Sequence, residues 1–350
     1  MRPPDQPDAA LELRPSEAPV AEPMARPLSG GYSGEVFLVE YAGERAVLRV
    51  YGSTPERAAV DAGLLRLVHG LVPVPRVLDL RHNDPAQPGP AHLLTSFEPG
   101  ERLDLVLTDG DAVERSRLAS GVVDVLVALS GVAFLRPGMF VDADLTLSDS
   151  HAPAAGLVEW LDLHVGGSAL GGWDAGLLRS LAQVCQYADV LLDGIDRTCL
   201  VHSDFNGKNI LVDRRTGAVT AVLDWEFAHA GSPYADLGNL VRFDRGTAWA
   251  DDVVAGFVDR ARGLAPDPLT LAYASDLWAL IDLAGRACQH DVGAKAALLL
   301  TEIARAQDLH ASPPTVTFGD TARCSVRSAI VPKLGRRDRR SSNGGGSAGG

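Results

Sequence analysis

The 350-residue sequence is poor in cysteine and in aromatic residues, and it lacks long apolar runs. Its four cysteines are Cys185, Cys199, Cys288 and Cys324. They form no C-x-x-C pair and have no metal-ligand spacing, so reduced, mostly buried thiols of a cytosolic protein are expected. The first 15 residues lack the apolar core of a signal peptide, and the apolar run 122–135 is too short to span a bilayer. We therefore predict a soluble, cytoplasmic protein with no membrane partner.

Basic residues are also scarce, and the formal net charge is −13. The end segments 1–27 and 313–350 together carry ten Lys/Arg and seven Asp/Glu. The remaining 28–312 therefore hold 22 Lys/Arg against 38 Asp/Glu, a net charge of −16. Such a body repels nucleic acid and anionic membranes and attracts cations. We expect no nucleic-acid partner and favour a cationic small molecule as the ligand.

Composition divides the chain into four segments. Residues 1–27 are rich in Pro, Ala and acids without periodicity, which predicts disorder. Residues 313–350 contain a basic run and then a Gly/Ser stretch, which predicts an unstructured tail, with a nucleic-acid arm as the less favoured alternative. Between them, 28–98 is rich in strand patterns and 99–312 in helical ones, so the fold class is predicted to be α+β.

Further elements are predicted within these two segments. Strands are expected over Arg76 to Leu80 and Ala91 to Phe97. Asp111 and Asp174 are expected to cap two long helices.

The most specific motif is LVHSDFNGKNILVDRRTGAVTAVLD, which spans residues 200–224. It contains Asp204, Asn209 five residues later, and Asp224. Two short apolar runs, Ile210 to Asp213 and Ala218 to Leu223, flank a predicted turn and should form a hairpin that returns Asp224 beside Asn209. A carboxylate for an acceptor hydroxyl and two oxygen ligands for Mg²⁺ are the parts of a phosphoryl-transfer site. The alternative is a helix cap, a turn asparagine and an unrelated strand aspartate.

A glycine cluster near the start of the first strand-rich segment gives a second, weaker signal. Gly30, Gly31 and Gly34, with Ser33 among them, precede predicted strands Glu35 to Tyr41 and Ala46 to Tyr51. Glycines let backbone N–H groups approach phosphate oxygens, and a glycine loop between strands is the kinase type of nucleotide lid. An ordinary surface loop is the alternative.

These motifs together resemble the aminoglycoside phosphotransferase and choline kinase-like family. The residues that carry the resemblance are His202-Ser203-Asp204-Phe205, Asn209, Leu223-Asp224-Trp225-Glu226 and Ser232-Pro233-Tyr234-Ala235-Asp236-Leu237-Gly238-Asn239. The family usually has His-Gly-Asp, and here Ser203 replaces the glycine. The resemblance implies a protein-kinase-like two-lobed fold, with a small β-sheet lobe carrying one helix and a larger, mostly helical lobe. It also implies ATP (GTP remaining open), Mg²⁺ and a small-molecule hydroxyl acceptor.

The resemblance gives a role to each candidate residue. Asp204 would be the catalytic base or the carboxylate that positions the acceptor, and Asn209 and Asp224 would hold Mg²⁺. Backbone groups near Ser96 and Glu98 would meet the purine edge at the hinge between the lobes.

Kinases place a lysine on the third strand to hold the phosphates, but this strand offers only Arg49, whose guanidinium can also bind phosphate. Ser53-Thr54-Pro55-Glu56 predicts the start of the following helix, with a cap residue, an early proline and an acid. On that helix Asp61 shares a face with apolar residues, so it should point inward, where Arg49 is the expected partner.

The remaining candidates support the loop or approach the acceptor. His202 and Asp236 are predicted to brace the catalytic loop, although His202 could instead ligate a metal and Asp236 could be an ordinary acid at a helix start. Glu226 could face an acceptor amine, and Lys208 could reach a phosphate or lie in solvent. Weaker candidates for the acceptor wall, which solvated surface positions explain equally well, are Asp142, Asp144, Asp276 and Asp282.

Two functions from different classes fit these patterns. The first is a small-molecule kinase whose acceptor is an aminoglycoside-like antibiotic or an amino alcohol. The second is a nucleotide-binding pseudokinase that regulates a partner protein, an idea motivated by Arg49 in place of lysine. The complete set of Asp204, Asn209 and Asp224 favours the kinase, because a protein without catalysis has no chemical need for all three.

Overall fold

The computed structural model describes residues 25–28, 35–82, 89–148 and 155–314. The first part of the chain forms an antiparallel sheet of five strands in the order β1-β2-β3-β5-β4. The strands are β1 (Ala25–Pro27), β2 (Glu35–Tyr41), β3 (Glu44–Tyr51), β4 (Val77–Arg81) and β5 (Ala91–Ser96).

Most of this sheet was predicted from runs of strand-favouring residues that end at turn signals. The strand predicted over Glu35 to Tyr41 has those bounds, and Ala42 and Gly43 form the tight turn to β3 with φ angles of 52° and 81°. The prediction of disorder for the whole of 1–27 is wrong at its end, because β1 pairs with β2 through Ala25↔Val39. A three-residue edge strand carries too little pattern to be recognised without its partner.

Among the described residues, the helix that lies beside this sheet is α1 (Arg57–Val68). The predicted Ser-Thr-Pro-Glu cap is only approximate: the helix begins at Arg57, and Glu56 at the cap position makes no side-chain capping bond. The Arg57 N–H is satisfied instead by the backbone carbonyl of Thr54 at 3.0 Å. A local turn therefore replaces the side-chain cap.

The chain leaves the sheet through Phe97–Gly100 and enters a second small sheet. Gly100 has a φ of 153°, and a Cβ there would lie 2.4 Å from the Thr220 hydroxyl, so only glycine fits this close approach. The strands of this sheet are β6 (Glu101–Arg102), β10 (Ile210–Val212) and β11 (Val219–Val222), in the order β11-β10-β6.

The described residues after β6 are mostly helical. Asp111 and Asp174 cap their helices with side-chain bonds to backbone N–H groups, as predicted. The helices that begin at Leu103 and Leu157, and the four short strands of the sheet described below, were not predicted from the sequence. The helices are α2 (Leu103–Asp109), α3 (Ala112–Gly131), α4 (Leu157–Val165), α5 (Ala175–Leu192), α6 (Ala235–Val241), α7 (Ala248–Arg260), α8 (Pro268–Gly285) and α9 (Asp291–Ala306). The strands are β7 (Ala133–Phe134), β8 (Gly138–Met139), β9 (Thr198–Val201) and β12 (His229–Gly231), in the order β7-β9-β12-β8.

Close helix packing fixes the elements around the polar loops. A Cβ at Gly238 on α6 would lie 2.2 Å from the Ala272 carbonyl oxygen on α8, so the two helix backbones meet at the glycine. Leu277, Leu280 and Ile281 of α8 are fully buried in the core. The fold class predicted from the sequence, a small antiparallel sheet with one helix followed by a larger helical part, is confirmed. No helix in the described part of the chain has the length and apolarity needed to cross a membrane.

Candidate active site

The predicted hairpin forms, and it brings Asn209 beside Asp224. Strands β10 and β11 pair antiparallel with Ile210 opposite Val222. One residue further out, the Leu223 N–H donates to the Asn209 carbonyl oxygen at 2.8 Å. Asp224 follows directly with a left-handed φ of 61°, an uncommon conformation for a residue other than glycine. The neighbouring backbones give these two side chains a common location at the open end of the hairpin.

Asp204 and Asn209 are in direct contact. The Asn209 amide donates to the Asp204 carboxylate at 2.7 Å and to the Asp204 carbonyl oxygen at 2.9 Å. The other carboxylate oxygen of Asp204 accepts from the amide of Asn206 at 2.8 Å. Both N–H donors of the Asn209 amide are directed to Asp204, so the amide oxygen of Asn209 remains available as a metal ligand. Lys208 between them is exposed.

His202 is fully buried beneath this loop and links it to the hairpin. Its Nε2 lies 2.9 Å from the Leu223 carbonyl oxygen, and its Nδ1 lies 3.3 Å from the Asp204 N–H. A carbonyl can only accept and an N–H can only donate, so the imidazole is neutral with its proton on Nε2. The rings of Phe205 and Trp225 pack edge-on against it, which holds the ring in that orientation.

Asp236, at the start of α6, accepts from two consecutive backbone N–H groups of the loop. One carboxylate oxygen accepts from His202 and the other from Ser203, each at 2.8 Å. Ser203 has a φ of 69°, in the left-handed region that favours glycine, and the two bonds to Asp236 help to hold it there. Burial raises the pKa of Asp236, while the two N–H donors favour its ionised form. Asn239 adds a bond from its amide to the Ser203 carbonyl oxygen.

Arg49 on β3 connects the first sheet to the segment after the hairpin. Its Nη1 lies 2.8 Å from the Asp224 carboxylate and its Nη2 lies 2.6 Å from that of Glu226. Burial raises the pKa of Glu226, and repulsion from the Asp224 charge raises it further. The Glu226 carboxylate therefore contacts the guanidinium of Arg49 in this structure, whereas the sequence suggested that it could face an amine of the acceptor.

The predicted ion pair between Arg49 and Asp61 is wrong. Asp61 is buried as expected, but one carboxylate oxygen accepts from the Tyr51 hydroxyl at 2.6 Å and the other from Arg57 Nε at 2.7 Å. Burial and the charge of Asp61 raise the pKa of Tyr51, so this hydroxyl stays a donor. Arg57 lies one turn before Asp61 on the same helix and pairs with its carboxylate. Arg49 pairs with Asp224 and Glu226 instead.

Several predicted nucleotide contacts remain predictions. Gly30, Gly31, Ser33 and Gly34 lie outside the described residues, although the flanking strands β1 and β2 are paired. Ser96 ends β5, and its hydroxyl accepts from the Arg76 N–H and donates to Glu98. The segment from 96 to 98 thus occupies the junction between the two parts of the fold.

The weaker acceptor candidates do not form one wall. Asp276 is buried with Arg242, with contacts of 2.7–3.0 Å, so it belongs to the core and neither the acceptor role nor the solvated role applies. Asp142 accepts from the backbone N–H groups of Asp144 and Thr146 in its own exposed turn. Asp282 pairs with Arg286 at the surface. Their sequence patterns could not distinguish these surroundings.

The residues present fit a magnesium ion held mainly by phosphate. Among the described residues no group of three His, Cys, Asp or Glu side chains could hold a metal alone. Mg²⁺ keeps several waters and commonly binds one or two carboxylates together with substrate phosphates. The Asp224 carboxylate and the available oxygen of Asn209 supply such a partial site.

No role was predicted from the sequence for three residues that position the catalytic loop or the segment after the hairpin. Arg57 donates to the Trp225 carbonyl oxygen at 2.8 Å, which adds a second link from the first sheet region to the segment after the hairpin. Asn206 and Asn239 hold the two sides of the catalytic loop. An asparagine two residues after Asp204 was a visible local signal, whereas the partner of Arg57 lies 168 residues away.

The model of the phosphotransferase enzyme family matches residues 25–273. A 53-residue stretch is 43% identical to acyl-CoA dehydrogenase family member 11 of Rattus norvegicus and spans 15% of this chain and 7% of that protein.

Solved structures with a similar fold include three aminoglycoside phosphotransferase structures. A thermostable mutant of aminoglycoside phosphotransferase APH(4)-Ia, in complex with ADP and hygromycin B, has a TM-score of 0.57 at 22% identity over 81% of this chain and 93% of that one. A putative aminoglycoside phosphotransferase from Ralstonia eutropha JMP134 has a TM-score of 0.57 at 19% identity, over 80% and 90% of the chains. The GDP complex of aminoglycoside 2'-phosphotransferase-IIIa has a TM-score of 0.59 at 18% identity, over 83% and 94%.

Proposed function

The chain belongs to the phosphotransferase enzyme family and is a small-molecule kinase, and we propose that it transfers the γ-phosphoryl group of ATP to a hydroxyl of a small cationic acceptor. The observation that carries this proposal is the contact geometry of Asp204, Asn209 and Asp224. Asn209 donates to the Asp204 carboxylate at 2.7 Å, and its carbonyl oxygen accepts from the residue before Asp224 at 2.8 Å. One loop and one hairpin thus supply all three oxygen-bearing groups of a phosphoryl-transfer site.

Asp204 is the group proposed to meet the acceptor. In the transfer, a bond forms between the acceptor oxygen and the γ-phosphorus while the bond from that phosphorus to the bridging oxygen breaks. The acceptor proton passes to the Asp204 carboxylate and then to solvent. Hydrogen bonds from Asn206 and Asn209 fix the carboxylate orientation, and this alignment supplies much of the catalysis because phosphoryl transfer depends on positioning.

Asn209 and Asp224 are proposed to hold Mg²⁺ together with the nucleotide phosphates. The ion supplies charge neutralisation for the phosphate oxygens. Arg49 lies next to Asp224 and contributes a second positive charge on the same side of the site. Gly30, Gly31 and Gly34 are proposed to cover the phosphates, and the backbone near Ser96 and Glu98 to receive the base.

A cationic acceptor is supported by the charge of the chain. Residues 28–312 have the net charge of −16 derived above, which attracts polyamines and repels polyanions. One solved structure of similar fold holds hygromycin B, an aminoglycoside, but at 22% identity that likeness bears on the fold alone. We therefore propose the chemical class, an amine-bearing alcohol, as the acceptor.

The test is ATP consumption by the purified full chain with Mg²⁺ across a panel of aminoglycosides and amino alcohols. At least one acceptor should stimulate consumption, and Asp204→Asn should lower kcat about 100-fold or more while nucleotide affinity stays within a few-fold. Asp259→Asn, an exposed aspartate on α7, is the matched control. Activity of Asp204→Asn within a few-fold of the unaltered protein would remove Asp204 from the mechanism.

One observation favours the second candidate, a nucleotide-binding regulator without transfer activity. Arg49 sits directly on Asp224, so the carboxylate already has a cation in this structure. A regulator would bind nucleotide equally well with EDTA and with Mg²⁺, and it would phosphorylate no hydroxyl in the panel. The kinase instead requires Mg²⁺ for transfer.

A further inference from the structure

The arginine on β3 has two carboxylate partners, and both come from the segment that follows the hairpin. Arg49 Nη1 contacts Asp224 at 2.8 Å and Nη2 contacts Glu226 at 2.6 Å. The side chain of Arg49 is 15% exposed, that of Glu226 10% and that of Asp224 27%. The shorter contact is therefore also the more buried one, where an ion pair is screened least by solvent.

The buried acid of helix α1 has hydrogen-bond partners of its own, although its charge still helps to raise the pKa of Arg49. This acid, Asp61, has both oxygens occupied by Tyr51 and Arg57. Arg57 in turn donates to the Trp225 carbonyl oxygen, so the helix fixes the backbone between Asp224 and Glu226. The carboxylates reach Arg49 from the hairpin side, on a segment whose backbone α1 holds in place.

The two partners of Arg49 differ in what a bound nucleotide would require of them. Asp224 is the proposed ligand of Mg²⁺, so its carboxylate must turn to the metal when the nucleotide binds. The proposed metal ligands are Asn209 and Asp224, so the contact of Glu226 with Nη2 can persist when the metal is bound. A guanidinium presents separate donors on a rigid fork, so Nη2 can stay on Glu226 while Nη1 becomes free for a phosphate oxygen. A lysine has a single ammonium group and lacks two donor nitrogens held in one plane, so it cannot contact Glu226 and a phosphate oxygen in this fork geometry.

We infer that Glu226 is the positioning residue that holds Arg49 in place for the nucleotide phosphates, the role that the sequence suggested for Asp61. This inference rests on the proposed function. It assigns Glu226 to the phosphate side of the site, and it makes the arginine fork the reason that this chain works without a lysine on β3. Asp224 then alternates between Arg49 in the free protein and the metal in the loaded one.

The experiment measures the dissociation constant of ADP by calorimetry on the full chain, with Mg²⁺ and again with EDTA. Glu226→Gln should weaken ADP binding about tenfold under both conditions, because a misplaced Arg49 loses a charge-assisted bond to phosphate. Glu302→Gln is the matched control, since Glu302 forms an exposed pair with Arg305 on α9. Thermal unfolding of each variant checks that it is folded. If Glu226→Gln does not fold, Glu226→Asp replaces it in the experiment.

A double-mutant cycle isolates the pair from general effects on the fold. Arg49→Met should weaken ADP binding at least as much as Glu226→Gln, and adding Glu226→Gln to it should change the affinity less than twofold. Arg49→Lys should recover only part of the loss, because the ammonium cannot hold the carboxylate and a phosphate in the fork geometry.

Three results would overturn the inference. Weaker ADP binding only in the presence of Mg²⁺ would make Glu226 a metal ligand. Unchanged ADP affinity with a raised acceptor KM would return Glu226 to the acceptor side. Equal effects of Glu226→Gln with and without Arg49 would show that it acts apart from the arginine. An unaltered protein that binds no nucleotide would overturn the proposed function as well, whereas the first three results leave that function intact.

Discussion

Replacing Asp236 by alanine tests whether its carboxylate holds the catalytic loop. The change removes the acceptor of two backbone N–H groups, those of His202 and Ser203, both at 2.8 Å. Leaving a buried donor without a partner costs about 1–3 kcal/mol, so the free energy of unfolding should fall by roughly 2–6 kcal/mol. Because His202 is fully buried and Ser203 only partly, the lower half of that range is expected.

The matched control is Asp251→Ala. Asp251 occupies the first turn of α7 just as Asp236 occupies the first turn of α6, but it is exposed. An acid that only favours the helix dipole contributes about 0.3–1 kcal/mol. The two variants therefore separate a bracing carboxylate from an ordinary helix-terminal acid, which was the alternative left open by the sequence.

Urea unfolding of the two variants gives the comparison directly, and kcat gives the consequence for the site. Asp236→Ala should also lower kcat, since Ser203 then relaxes from its φ of 69° and the adjacent Asp204 moves. If Asp236→Ala and Asp251→Ala destabilised the protein by amounts within 0.5 kcal/mol of each other, about the helix-dipole scale, the bracing role would be refuted.

Three further predictions follow from backbone geometry and burial. Ser203→Gly should raise the free energy of unfolding by up to about 1 kcal/mol in urea titration, because relief of the left-handed φ outweighs the added freedom of the unfolded chain; a loss of stability would contradict this. Gly207→Ala should lower kcat with little effect on nucleotide affinity, since a Cβ there would lie 2.9 Å from a backbone nitrogen of α2; unchanged kinetics would show that the loop absorbs it. Mass spectrometry after brief alkylation at pH 8 should find Cys288 modified and Cys185 and Cys199 unmodified. Burial raises the pKa of both buried thiols to about 12, and their rapid labelling would contradict the packing.

The structure also explains why the segment after the hairpin is held so firmly. Arg49 binds the side chains of Asp224 and Glu226, and Arg57 binds the carbonyl oxygen of Trp225. All three residues of the segment are thus tied to the first sheet or its helix.

The sequence alone determined the fold class and the group of Asp204, Asn209 and Asp224. These residues lie within one loop and one hairpin, so short-range rules of strand alternation and turn formation decide their proximity. The strand over Glu35 to Tyr41 was predicted with its observed bounds because a run of strand-favouring residues meets the turn at Ala42 and Gly43. Local patterns also located the caps at Asp111 and Asp174.

Only the tertiary structure decided which carboxylate Arg49 meets. Asp61, Asp224 and Glu226 all offered the same charge, and the two actual partners lie 175 and 177 residues away along the chain. The choice of partner for Arg49 depends on the hydrogen bonds that Arg57 and Tyr51 donate to Asp61, and on how the hairpin packs beneath β3. The burial of Asp276 was hidden for the same reason. An ionic partner is selected by three-dimensional distance and solvent exclusion, and neither is written in the spacing of residues along the chain.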